Sequence, residues 1–147
     1  MTLRIDAVAV AEGAAQDVRG AWTLVGFNPP ALPADSFPAR FGPAFLLIAE
    51  DDGEHPVVAA GTFLNVKVQL TGPDGETLFF AQDRPQVQPW PNSPLPRRIQ
   101  LVVQVPFTAG KAGEYRVYGS ISADDPVFAL VAERTIRVVD SASIKVE

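Results

Sequence analysis

The stretch FLNVKVQL, residues 63–70, decides the fold class. Leu64, Val66, Val68 and Leu70 alternate with Asn65, Lys67 and Gln69, which gives an extended chain one apolar and one polar face. RIQLVVQV, residues 98–105, repeats the pattern with Ile99, Leu101, Val103 and Val105 set against Gln100 and Gln104. Both are expected as half-buried strands. After the first comes TGPDGET, residues 71–77, in which Pro73 pre-sets φ, Asp74 bonds its own turn and Gly75 accepts positive φ. A hairpin into TLFF, residues 77–80, is predicted there.

Working outward, LRIDAVAV (3–10), AWTLVGF (21–27), AFLLIA (44–49), EYRVYGSI (114–121) and VFALVAERTIRVV (127–139) read as further strands, separated by Gly, Pro and Asp at short intervals. The last is long, and its apolar pattern between Leu130 and Ile136 predicts a bulge near Glu133 and Arg134. The one helical competitor is AVAVAEGAAQDV (7–18), where the alanines favour a helix while Gly13 and the alternation of Val8 and Val10 oppose it. Many short strands without strand–helix alternation predict an all-β fold, an antiparallel immunoglobulin-like β-sandwich of about seven to nine strands with long proline-rich loops. Residues 1–140 would form one domain, and 141–147 a tail or an added edge strand. Tyr115, two residues after Gly113 at a strand start, would sit either in a tyrosine corner, its hydroxyl tied to nearby backbone, or as an ordinary buried strand tyrosine.

Composition bounds the function. At 147 residues, with 47% hydrophobic and 20% charged residues, the chain has the make-up of one globular domain with a sufficient core. It has no cysteine, which excludes disulfides, thiolate metal sites and cysteine nucleophiles and fits a reducing cytoplasm, the location expected here. Asp6 and Glu12 interrupt any apolar signal core, and no run approaches the roughly 20 apolar residues that cross a bilayer, so neither a signal peptide nor a membrane span is expected. A net charge of −5, with both signs scattered, argues against nucleic-acid binding, which needs clustered Lys and Arg.

The segment AVAVAEGAAQDVRGAWTLVGF, residues 7–27, resembles the opening of an uncharacterised bacterial family of small immunoglobulin-like β-sandwich domains, a domain of unknown function. Members open with an apolar strand ending in Ala and Asp, a short loop, then Gly-Lys-Leu with a second glycine six positions after the first. Gly20 and Gly26 keep that spacing and Trp22 stands at the leucine, while Glu12 follows Ala11 in place of Asp and Ala21 replaces the lysine. LTGPDGETLF and AGEYRV resemble the family's hairpin and penultimate strand. The resemblance would cover most of residues 4–139; it implies a fold and transfers no catalytic residue.

The loop AEDDGEHP (49–56) carries Glu50, Asp51, Asp52, Glu54 and His55 after a strand, and clustered carboxylates are what calcium needs, although the spacing is not that of an EF-hand and a solvated turn explains the same residues. Asp124 and Asp125 form a second acidic pair. Should the two loops meet, Asp51, Asp52, Asp124 and Asp125 would be candidate calcium ligands; no other cofactor is expected. His55 is the single histidine, so a triad would have to be built on one loop position, and no enzyme activity is expected.

RPQVQPWPNSPLPRR (84–98) is either a stiff crossover or a ligand of the P-x-x-P kind beside Arg97 and Arg98. A second proline-rich stretch, 28–43, holds Phe37 and Phe41. Both would cover the core, or else Phe37, Phe41, Trp90, Arg97 and Arg98 would make a contact surface for a protein partner or a second copy of the chain. The alternative to such a protein-binding, scaffold or assembly module is a calcium- or small-ligand-binding β-sandwich.

Overall fold

The computed structural model describes residues 3–52, 54–89, 95 and 97–143. Among them the chain is all-β, with one 3₁₀ turn at Ser141–Ser143. The strands are β1 (Leu3–Gln16), β2 (Trp22–Phe27), β3 (Leu32–Ala34), β4 (Ala39–Phe41), β5 (Ala44–Asp51), β6 (Asn65–Thr71), β7 (Thr77–Asp83), β8 (Arg97–Gln104), β9 (Phe107–Ala109), β10 (Gly113–Asp124) and β11 (Val127–Asp140). They make a four-stranded sheet, β2-β1-β5-β8, a five-stranded sheet, β3-β11-β10-β6-β7, and a two-stranded one, β4-β9.

Period-two patterning explains how the two large sheets share one core. Val66, Val68 and Leu70 of β6 and Tyr115, Val117, Ile121 and Ala123 of β10 are buried, as are Phe45 and Leu47 of β5 from the opposite sheet. Each fully buried Val, Leu or Phe contributes about 1.5–3 kcal/mol. Phe45 lies under Gly119, so close that a Cβ on residue 119 would overlap the ring. Glycine at this mid-strand position makes room for a neighbour's side chain.

The predicted hairpin forms between β6 and β7. Gly75 takes a φ of 83°, Gly75 N donates to Gly72 O at 3.0 Å and Gly72 N to Glu76 O at 2.8 Å. Asp74 does not bond its own turn through its carboxylate, which reaches Lys111 instead.

The alanine-rich stretch, where Gly13 and the alternation of Val8 and Val10 oppose a helix, is extended to Gln16, and β1 gains two partners in succession, β5 along its first half and β2 along its second. Three expectations are corrected. The fold is not purely antiparallel: β3 runs parallel to β11, pairing Leu32 with Val138 and Ala34 with Asp140. Residues 28–43 are not one loop but hold β3 and β4, since an edge strand bonded on one side tolerates Pro33. Finally, β11 has no bulge at Glu133 or Arg134; its register with β10 is unbroken from Asp124↔Val127 to Gly113↔Val138. Phe128, Leu130, Ala132, Ile136 and Val138 keep one phase throughout, and exposed Val127 and Val131 on the opposite face gave the look of a shift.

Candidate functional site

Asp51, at the end of β5, is 2% exposed. Its Oδ1 accepts hydrogen bonds from Asp52 N at 2.9 Å and Val57 N at 2.8 Å, and its Oδ2 from Val58 N at 2.9 Å. This carboxylate organises the loop after β5 by satisfying backbone donors that the fold has removed from water. Asp52 holds the next turn: its Oδ1 accepts from His55 N at 3.0 Å and Glu54 N at 2.8 Å, and these bonds, His55's first, keep its pKa below the usual carboxylate range. Glu50 faces Arg4 at 3.2 Å and Arg98 at 3.6 Å. Asp124 and Asp125 close the β10–β11 turn, where Asp124 pairs with Val127. Among the described residues no three acidic or histidine side chains converge to hold a metal ion, and Asp51, Asp52, Asp124 and Asp125 form no such group.

The aromatic candidates turn inward. Phe37 and Phe41 are half-buried and pack on the core. The Phe41 ring lies 5.7 Å from Phe107, and Phe107 lies 5.3 Å from Tyr115, which closes one end of the molecule with aromatic contacts. Tyr115 Oη donates to Lys111 O at 2.6 Å, the tie to nearby backbone that its position after Gly113 suggested. Lys111 Nζ in turn reaches Asp74 at 2.8 Å, linking two turns, and this contact raises the Lys111 pKa.

Arg97 is not a surface contact: it is 8% exposed, and its Nη1 donates to Val58 O at 3.1 Å, which fixes it beneath the acidic loop. Arg98 stays exposed. Trp90 and the prolines at 91, 94 and 96 lie outside the described residues, as does the tail from residue 144. The first part of the proline-rich stretch is a bonded connection. Leu64 N donates to Pro85 O at 2.8 Å, Val87 N to Thr62 O at 2.8 Å and Gly61 N to Val87 O at 2.8 Å.

A surface that the sequence reading missed is the outer edge of β11. Strand β10 pairs with β11 along its length, but β3 covers the other side only at Val138–Asp140. Among the described residues nothing is ladder-paired with that side over residues 127–137, roughly 36 Å at about 3.3 Å per residue. Val127 is 86% and Val131 61% exposed on the outer face, while Phe128 and Leu130 are half-buried on the inner one. No proline or bulge interrupts the segment. Asn28, with φ of 48°, bonds both the N–H and the C=O of Val10 on β1, and both residues line one pocket with Arg134–Arg137 of β11.

A scan against protein-family models gives no match, and neither does a search of curated proteins. Among solved structures, the chain is similar to one described as the crystal structure of the C-terminal domain of wzt, at 14% sequence identity and a TM-score of 0.49, covering 95% of this chain and 74% of that one.

Proposed function

We propose that this chain is a non-catalytic binding or assembly module on an immunoglobulin-like β-sandwich, acting through protein–protein contacts. The observation that carries the reading is the side of β11 that has no ladder partner before Val138, on a strand whose outward face exposes Val127 and Val131. Edges of this kind are sites of strand addition, in which main-chain hydrogen bonds supply affinity and alternate side chains supply specificity. The immunoglobulin-like assignment is supported by the two large sheets sharing one core and by the Tyr115 hydroxyl bonded to the backbone four residues upstream. The inward packing of Phe37 and Phe41 and the burial of Arg97 favour the sheet edge over the proline-rich loops as the contact surface.

The test is affinity capture from the source cell with the native chain, Val131→Lys and Trp90→Ala, each checked for folding by circular dichroism. Loss of a partner with Val131→Lys alone supports the edge. Loss with Trp90→Ala alone moves the contact to the proline-rich stretch. A chain that captures nothing and does not self-associate overturns the binding-module reading.

A further inference from the structure

We infer that the cavity bounded by residues 85–88 and the start of β8 binds a small amphiphilic monocarboxylate, an apolar chain or ring that ends in one anionic group. The inference goes beyond the protein-contact reading and does not depend on it. The cavity measures about 300 Å³, the lower end of small-molecule sites and the room of about ten waters. Its lining residues grade from buried Val58 and Leu64, through half-buried Val87 and Ile99, to exposed Gln86, Gln88, Arg98 and Gln100. An apolar interior thus opens through a polar mouth. The wall opposite β8 is held in place by backbone: Leu64 N donates to Pro85 O, Val87 N to Thr62 O and Gly61 N to Val87 O, while Gln86 Nε2 donates to Gly61 O at 3.1 Å. A wall fixed in this way spares a ligand the cost of ordering it.

Charge selects the sign of the ligand. At the buried end Asp51 and Arg97 are partners in the β5–β8 register. Asp51 accepts from three backbone N–H groups and Arg97 Nη1 donates to Val58 O, so the fold already holds one charge of each sign there and the pair adds no net charge. The mouth carries the charge of Arg98, whose side chain is 62% exposed. Its Nε stands 3.6 Å from Glu50 Oε1, beyond hydrogen-bond length, and Glu50 is shared with Arg4 at 3.2 Å. Among the described lining residues Asp51 is the one acid, and it lies at the buried end. An apolar tail placed inside gains about fourfold in affinity for each methylene it buries. A carboxylate left at the mouth keeps most of its water and meets the Arg98 guanidinium, whereas a cation there meets like charge.

The test titrates the ¹⁵N-labelled chain with octanoate, hexanoate, octanol and octylammonium and follows the backbone amide shifts. Octanoate is expected to saturate with a midpoint of about 1 mM or below and to move the amides of residues 58, 64, 87 and 99 most. Hexanoate, two methylenes shorter, is expected to bind about tenfold more weakly, and octylammonium more weakly than octanol. Arg98→Gln is expected to weaken octanoate about threefold and leave octanol unchanged, a split that loss of shape alone does not produce. Val87→Trp, which fills the space, is expected to abolish binding of all four; Ile99→Phe, adding bulk on the β8 side, makes the same test should the first variant fail to fold by circular dichroism. No saturable shift at these residues, binding indifferent to chain length or to the sign of the head group, or an octanoate midpoint unmoved by Arg98→Gln overturns the proposal. Octanoate bound by Trp90→Ala and not by the native chain overturns it as well. None of these outcomes bears on protein capture by the β11 edge, so the two readings fail separately.

Discussion

Strands β10 and β11 belong to one hairpin, have similar length and share a period-two pattern, yet they serve opposite ends. In β10 both sides are hydrogen-bonded, to β11 and to β6, and its alternate residues are buried to Tyr115, Val117 and Ile121. In β11 one side is bonded throughout and the other only at its last three residues, and Val127 and Val131 on its outward face stand in water. An apolar strand residue is buried or exposed according to the face of the sheet on which it stands. Chemical type does not separate the two.

The sharpest way to test the contrast is to make like changes in both strands. The largest effect is expected for Gly119→Val in β10, where the side chain must displace the Phe45 ring: a loss of about 3 kcal/mol or more, read by chemical denaturation, against an effect within about 0.5 kcal/mol for Ala129→Val on the exposed face of β11. Val117→Ala, which empties a fully buried site, is expected to cost about 2–3 kcal/mol, and Val131→Ala less than about 0.5 kcal/mol in the monomer. Equal losses at the two valines would break the comparison.

Tyr115→Phe keeps the ring packing on Phe107 and removes only the bond to Lys111 O. The expected cost is about 1 kcal/mol, with an unchanged denaturant slope. The smallest effect belongs to pH. Contact with Asp74 raises the Lys111 pKa, so its stabilisation is complete below the ordinary lysine pKa and is lost only as pH rises through the raised value. The melting temperature of the native chain and of Lys111→Met should therefore differ little between pH 7 and 9, and what small gap exists should close in more alkaline buffer. At the acid end, Asp52, whose pKa is lowered, contributes above the ordinary carboxylate pKa and loses that contribution as pH falls through the lowered value.

The wide-period features were legible because they depend on one strand at a time. The faces of β6 and β8 and the turn at Pro73 and Gly75 follow from local spacing, which also offered the tie of the Tyr115 hydroxyl as one of two readings. The acidic loop was legible as a turn, but the roles within it were not. Asp51 and Asp52 are neighbours of the same type, yet Asp51 is buried under backbone donors from residues 52, 57 and 58 while Asp52 caps an exposed turn. Only the path of the following chain makes that distinction.

The sequence by itself determined that this is an all-β, cysteine-free chain with strands of known facing, since alternation and turn chemistry act between residues a few positions apart. The tertiary structure alone decided that Pro33 would lie parallel to the last strand and that Arg97 would be drawn into the fold. It also decided that β3 would cover only the end of β11. Those outcomes depend on hydrogen bonds and contacts between residues many positions apart, and such pairing leaves no periodic mark in either segment alone.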